Sequence, residues 1–256
     1  MPFTDLREFV AHLERHGQLR RIAVPVSRDL EISEITDRVS KGPAGQNVAL
    51  LFERVEGFEI PVLINTFGSA RRMAWALGVE NLNELSGRVA ALLDLKMPGT
   101  FFEKLRKLGD LMSLAKAGPR RVSSGPCQEV VETQSPSLKA LPIIQCWPKD
   151  AGPYITLPLV FTKDPTTGAR NVGMYRLQVF DDRTLGMHWQ THKGSAEHHR
   201  DAERARKPME VAIALGGDPA TIYTGSAPLP PGIDEIVFAG WLRGTGVELV
   251  RCKTVD

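Results

Sequence analysis

The chain has 256 residues, 42% hydrophobic and 24% charged, with 32 basic against 30 acidic side chains for a formal net charge of +2. That length holds one large or two ordinary domains with a real core, and the composition is that of a globular chain. The near balance of charge argues against a nucleic-acid binder, no apolar run nears the ~18 residues that span a bilayer, and the acidic start M-P-F-T-D-L-R-E-F lacks a secretory core.

Cys127, Cys146 and Cys252 are widely spaced with no C-x-x-C. They read as reduced thiols rather than a disulfide framework or zinc site, which places the protein in the cytoplasm.

Taken in order, Thr4 or Asp5 caps a first helix carrying Leu6, Phe9, Val10 and Leu13 at helical spacing, and Gly17 stops it. A strand from Leu19 to Val24 follows, then a helix from Asp29 with Ile32, Ile35 and Val39 on its buried face. Val48 to Phe52 and Pro61 to Asn65 read as strands; Ser69 to Leu77 and Asn83 to Leu95 read as helices. This alternation predicts an α/β domain. Pro98 to Pro119 is a looser helical stretch, and Gly118-Pro119 punctuates the chain, so the domain boundary is placed there, giving domains 1–118 and 119–256.

Beyond it the texture turns to β: Gln128 to Val131, Tyr154 to Thr162, Asn171 to Phe180, Met187 to Thr191, Pro208 to Leu215 and Val247 to Lys253. Helices interrupt near Ala196 to Ala205 and Asp234 to Arg243. Strands at this spacing predict a barrel or sandwich. The chain ends just after a strand, which predicts that it is a fragment.

The polar residues gather in a predicted hairpin, Asn171 to His192. Strand period 2 puts His188, Gln190 and His192 on one face. Two histidines there fit either a metal site or an exposed edge strand, and spacing alone favours the second. His198-His199 reads as a solvated helix face. Lys193-Gly194-Ser195 opens a helix and is either a phosphate cradle or an ordinary turn. Asp234 and Glu235 either complement a helix dipole or act chemically. There is no G-x-G-x-x-G, P-loop or G-x-S-x-G motif, so dinucleotide, P-loop and serine-hydrolase readings fall away.

Several long runs then point further. L-R-E-F-V-A-H-L-E-R-H-G-Q-L, L-I-N-T-F-G-S-A-R-R-M-A-W-A-L-G, C-W-P-K-D-A-G-P-Y-I-T-L-P, M-H-W-Q-T-H-K-G-S-A and E-I-V-F-A-G-W-L-R-G, in this order, closely resemble the UbiD family of prenylated-FMN-dependent decarboxylases. The resemblance implies an α/β plus β fold, with an N-terminal α/β domain followed by a split β-barrel that binds prenylated FMN, here incomplete at its C-terminus. It implies a divalent metal, Mn²⁺ or Mg²⁺, held by Asn171, His192 and Glu235, and K⁺ near the carbonyls of Gly225 and Ala227. Flavin contacts fall on Met174, Tyr175, Arg176, His188, Trp189, Gln190, Lys193 and Gly194, with Arg176 as the active-site arginine.

The reaction so implied is decarboxylation of a small aromatic or α,β-unsaturated carboxylic acid. A flavin prenyltransferase would supply the cofactor, and the full-length protein would be a homo-oligomer. The family's proton-delivering acids would lie beyond Asp256, so the chain alone is expected to be inactive. An ordinary FMN-dependent oxidoreductase and a non-catalytic scaffold remain alternatives. Asn171 and Arg176 are five residues apart, so a regular strand would send them to opposite faces; a bulge near Val172-Gly173 is expected.

Overall fold

The computed structural model describes residues 3–93, 116–230 and 232–255. Helix α1 (Leu6–Arg15) starts where Asp5 accepts the Glu8 amide at 2.8 Å while the Glu8 carboxylate accepts the Thr4 amide at 2.7 Å. One orphan donor of the first turn and the amide just before the cap are thereby met. Gly17 ends it at φ +64°. Strand β1 (Leu19–Ile22) pairs in parallel with β2 (Ala49–Phe52), and β3 (Val62–Ile64) pairs antiparallel to the far side of β2. Helices α2 (Glu31–Lys41), α3 (Ala70–Ala76) and α4 (Leu82–Leu93) complete the expected α/β half.

Its core has two parts. Val26, Ile32, Leu50, Phe52 and Val55 lie on one side, and Phe9, Leu13, Ala49 and Ala76 on the other. Between them Arg72 is fully buried. Among the described residues it has no carboxylate partner; all five of its N–H groups instead find neutral oxygens. Nε donates to the Thr66 carbonyl, Nη1 to the Asn47 carbonyl and Gln18 Oε1, and Nη2 to Asn47 Oδ1 and the Asn65 carbonyl. Burial lowers its pKa.

In the second half, β4 (Arg120–Val122) pairs in parallel with β11 (Glu248–Val250). β5 (Tyr154–Ile155), β8 (Arg176–Val179) and β9 (Leu185–His188) form one antiparallel sheet in the order β5-β8-β9. β6 (Pro158–Lys163), β7 (Arg170–Gly173) and β10 (Val211–Leu215) form another in the order β10-β6-β7. Helices α5 (Gly194–Arg204), α6 (Pro219–Thr224) and α7 (Glu235–Arg243) lie among them. Among the described residues these sheets are not joined into a closed barrel.

Several expectations shift. Gln128 to Val131 forms no strand: a 3-10 turn at Pro126–Gln128 takes its first residue, and Val130 is 89% exposed. The predicted run from Tyr154 to Thr162 divides between two sheets. Most of the stretch Pro98 to Pro119 lies outside the described residues. The two halves also share packing. Ala74, Leu77 and Leu85 pack with Ala117, Ala220, Phe238, Trp241 and Leu242, and Gln145 exchanges backbone hydrogen bonds with Arg28 and Leu30. All three cysteines are free, and burial pushes the Cys146 thiol up.

Candidate active site

The geometry begins with a tight connection. Between β6 and β7, Asp164 Oδ1 accepts the amides of Thr166 and Thr167, both at 2.7 Å, and Gly168 supplies φ +73°. These amide bonds hold the Asp164 carboxyl below its usual range. A turn anchored this way fixes register, and the register places Thr162 opposite Asn171. Both side chains therefore point to one face, the face covered by the start of α5.

There the Asn171 amide donates from Nδ2 to Ser195 Oγ at 2.9 Å and more distantly to the Tyr175 hydroxyl at 3.4 Å. Gly194 is needed beside it: a Cβ at that position would lie 2.1 Å from Asn171 Oδ1.

The chain leaves this sheet at the next step. The Tyr175 ring lies against Gly173, where a Cβ would come within 2.3 Å of it, and the Met174 amide donates to the Gly225 carbonyl at 2.8 Å. The ladder breaks at Met174-Tyr175, and Arg176 begins β8 in the other sheet. The expected irregularity lies two residues later than predicted, as a change of sheet rather than a bulge, and Val172 and Gly173 themselves pair regularly with β6. It resolves the five-residue conflict, since Asn171 and Arg176 belong to different ladders.

Across β8 and β9, Arg176 is the cross-strand partner of His188, and Gln178 that of Gly186. Period 2 then gathers Tyr154, Arg176, Gln178 and His188 on one polar face. The Arg176 guanidinium sits 4.4 Å over the Tyr154 ring, the Tyr154 hydroxyl donates to Gln178 Oε1 at 3.0 Å, and His188 meets Tyr154 edge-on at 5.3 Å. On the opposite face Leu177, Met187 and Leu185 pack with Ile143 and Ile155. Arg176 is exposed, so its charge is free to meet a carboxylate.

Strand β9 ends at His188, which corrects the predicted face of His188, Gln190 and His192. Trp189 turns inward, edge-on to Tyr175 at 6.2 Å and 5.2 Å from His199. Residues 189–193 form a turn closed by the Lys193 amide to the Gln190 carbonyl at 3.0 Å and by Arg200 to the Thr191 carbonyl at 2.7 Å. Inward packing of Trp189 breaks the alternation, and Gln190, His192 and Lys193 are left exposed.

Glu235 comes from the other side. Asp234 caps α7 by accepting the amides of Ile236 and Val237, and it also pairs with Arg170 at 2.5 Å. The dipole-complementing role thus belongs to Asp234. Glu235 instead turns to β7 and accepts the Val172 amide at 3.0 Å, serving an N–H of an edge strand. Burial pushes the Glu235 carboxyl up, partly offset by that bond.

One strand, β7, therefore holds the Asn171 amide through its own side chain and the Glu235 carboxylate through the neighbouring Val172 amide. His192 is two residues ahead of Gly194 but makes no polar contact with either among the described residues. Nor do three or more His, Cys, Asp or Glu side chains gather there as a metal cluster. An amide, a carboxylate and one imidazole are nevertheless donors that suit a hard divalent cation. The Gly225 and Ala227 carbonyls already accept the amides of Met174 and Leu229, each with one lone pair left.

His198 corrects a further expectation. It is 9% exposed rather than solvated, with Nδ1 3.0 Å from Thr162 Oγ1. His199 takes the outer position and pairs with Glu203 at 3.6 Å. Sequence reasoning also passed over Tyr154, Thr162 and Gln178. Ser195, read as part of a phosphate cradle or turn, has its hydroxyl between Asn171 and Thr162.

Residues 120–256 match the family model described as the 3-octaprenyl-4-hydroxybenzoate carboxy-lyase Rift-related domain, and 10–92 the corresponding N-terminal domain. An uncharacterized protein of Archaeoglobus fulgidus is 49% identical over 257 residues, covering 100% of this chain and 52% of that protein. Among solved structures, an evolved dimeric form of the UbiD-class enzyme HmfF from Pelotomaculum thermopropionicum, in complex with prFMN, is 31% identical with a TM-score of 0.81 over 99% of this chain and 54% of its own. The vanillic acid decarboxylase of Sedimentibacter hydroxybenzoicus in closed form is 26% identical with a TM-score of 0.83, over 100% and 52%. The chain spans about half the length of the curated relatives it matches. Among the described residues no helix is long and apolar enough to cross a membrane.

Proposed function

The chain belongs to the UbiD family of carboxy-lyases, and from that premise we propose that it carries the cofactor-holding part of a decarboxylase acting on an aromatic or α,β-unsaturated acid with prenylated FMN. The observation that carries this reading is the convergence on β7 and β8: an amide and a partly buried carboxylate at one strand, and an exposed arginine on an aromatic ring at the next.

Asn171, Glu235 and His192 would hold Mn²⁺ or Mg²⁺. The Asn171 oxygen lies in space that any side chain at 194 would fill, and the Glu235 carboxyl lies one residue along β7 in its backbone contact, pushed up by burial. A bound cation would keep Glu235 ionised. His192 has to turn inward from its exposed position to join them. K⁺ would take the remaining lone pairs of Gly225 and Ala227.

Lys193 and the first amides of α5 present positive potential to a phosphate. Tyr175, Trp189 and Met174 line the approach to the flavin, with Gln190 at its edge, while His188 and Arg176 share the polar face. Arg176 orients the substrate carboxylate through its fork of donors. Prenylated FMN, when bound, supplies the electron sink for loss of CO₂. No carboxyl of this chain is assigned to protonating the product.

The same reading places a domain division at 118/119 and treats the sheets of 119–256 as parts of a split barrel. It further implies a cytoplasmic homo-oligomer loaded by a flavin prenyltransferase; the dimeric form of HmfF supports the oligomer.

The test is to incubate the purified chain with prenylated FMN and Mn²⁺, remove free ligand, and record the absorption spectrum. Retained prenylated flavin that disappears in Asn171→Ala and Glu235→Ala is the expected result. Failure to retain any flavin would overturn the reading. Retention of ordinary FMN that is reduced by a nicotinamide would favour an oxidoreductase. Release of CO₂ from an aromatic acid by the loaded chain would refute the expected inactivity.

A further inference from the structure

Behind Asn171 lies a buried row of polar groups, of which the proposed reaction uses only Tyr175. Ser195 is 0% exposed, Thr162 2%, Tyr175 5% and His198 9%. Asn171 Nδ2 is 2.9 Å from Ser195 Oγ, Ser195 Oγ is 3.1 Å from Thr162 Oγ1, and Thr162 Oγ1 is 3.0 Å from His198 Nδ1. We propose that His198, Thr162 and Ser195 form a polarised hydrogen-bond relay that determines which end of the Asn171 amide faces the cation. The proposal rests on the reading of Asn171 as a metal ligand.

Each hydroxyl has a single proton to give, so its donor direction is set once its neighbour's is set. With His198 Nδ1 unprotonated, Thr162 donates to it, and Thr162 Oγ1 is then free to accept from Ser195. Ser195 has spent its proton and accepts from whatever comes next, which must be an N–H. The Asn171 amide therefore turns its NH₂ end inward and its oxygen outward.

With the opposite tautomer the polarity reverses. His198 donates to Thr162, Thr162 donates to Ser195, and Ser195 offers its proton to Asn171. That would draw the amide oxygen inward and leave NH₂ groups facing a cation.

Tyr175 reinforces the first arrangement. Its hydroxyl oxygen receives the Ser195 backbone amide and the Asn171 Nδ2, both at 3.4 Å, so two acceptors address the nitrogen end of Asn171. The outward oxygen fills the space kept clear by Gly194. His198, Thr162 and Ser195 are thus positioning residues acting through Asn171. Support of this kind behind a metal ligand is worth roughly ten- to a hundredfold in metal affinity.

The test uses the intact chain and two readouts. The first is metal-free: ¹⁵N-asparagine labelling, with contacts sought between the Asn171 side-chain NH₂ and the Ser195 β-protons. The second is Mn²⁺ affinity, from the electron paramagnetic resonance of free Mn²⁺. Thr162→Val and His198→Leu should each abolish the NH₂–Ser195 contact and weaken Mn²⁺ binding roughly ten- to a hundredfold. Thr162→Ser and His198→Asn, which keep a hydroxyl and an acceptor, should restore both. If Thr162→Val does not fold, the His198 pair decides.

An unchanged NH₂ contact in the disrupted variants, or Mn²⁺ affinity equal to wild type, overturns the relay. A wild-type chain that shows the contact, loses it in His198→Leu, and yet binds no Mn²⁺ upholds the relay and refutes the metal reading alone.

Discussion

Replacing Gly194 by alanine should cost stability at a helix position where the same change normally helps. Alanine is favoured over glycine by about 1 kcal/mol in a helix interior, an upper bound at Gly194, the first residue of α5, which has no left-handed backbone to protect. The obstacle is contact. The new Cβ would sit 2.1 Å from Asn171 Oδ1 and 2.8 Å from Asn171 Cγ. The amide has to retreat by roughly 1 Å, and buried overpacking of this kind costs about 1–3 kcal/mol. The retreat also strains the 2.9 Å bond to Ser195, worth about 0.5–1.5 kcal/mol.

After the helix gain is subtracted, a net loss of roughly 1–3 kcal/mol remains, and at about 2–4 °C per kcal/mol for a chain of this size the Tm falls by roughly 3–10 °C. Gly87→Ala is the control. It lies in α4, with nothing within 4 Å of the new Cβ, and should raise the Tm by roughly 2–4 °C. Differential scanning calorimetry reads both. A Gly194→Ala protein as stable as the Gly87→Ala protein would refute the crowding argument.

Arg72→Met should strand the buried carbonyls of Thr66, Asn47 and Asn65 and lower stability by about 3–5 kcal/mol; a urea midpoint shift under 1 kcal/mol would show that those oxygens find water. Glu235→Gln should stabilise the metal-free chain near neutral pH. Because burial raises the native pKa of Glu235, its contribution is full below the unfolded pKa and is lost as pH rises through the native one. The variant's Tm advantage should therefore grow from acid to neutral pH, and an advantage constant with pH would contradict this. Arg176→Lys, at an exposed position, should leave the Tm within about 1 °C while weakening binding of an aromatic carboxylate, because lysine lacks the planar fork that lies on Tyr154. Equal binding by calorimetry would remove Arg176 from substrate recognition.

Long periodic segments were legible from residues alone. Phe9 and Leu13 in α1, Ile32 in α2 and Ile236 in α7 are buried as their spacing requires, and Asp5, Ser69 and Asp234 cap where cap residues stand. These are local properties, decided within one or two turns of backbone. Helix α6 was not legible: it has six residues, five of them buried, so no exposed face marks a period. The pairing of β4 with β11 joins residues 128 apart through three-residue strands, which carry too little pattern to name a partner.

The site divides along the same line. Resemblance of motifs pointed to Asn171, Arg176, His188 and Glu235, and composition limited what they could do. Tertiary structure decided how they meet. The stretch Asn171 to Phe180 reads as one strand because alternation says which face a side chain takes, not which sheet it joins. Packing of Tyr175 on Gly173 and the Met174 bond to Gly225 send its two halves into different sheets. His198 looked solvated beside Arg200 and Asp201, yet the turn at Asp164 sets a register that brings Thr162 to its ring. A polar group's partner lies across the fold, and only the fold supplies it.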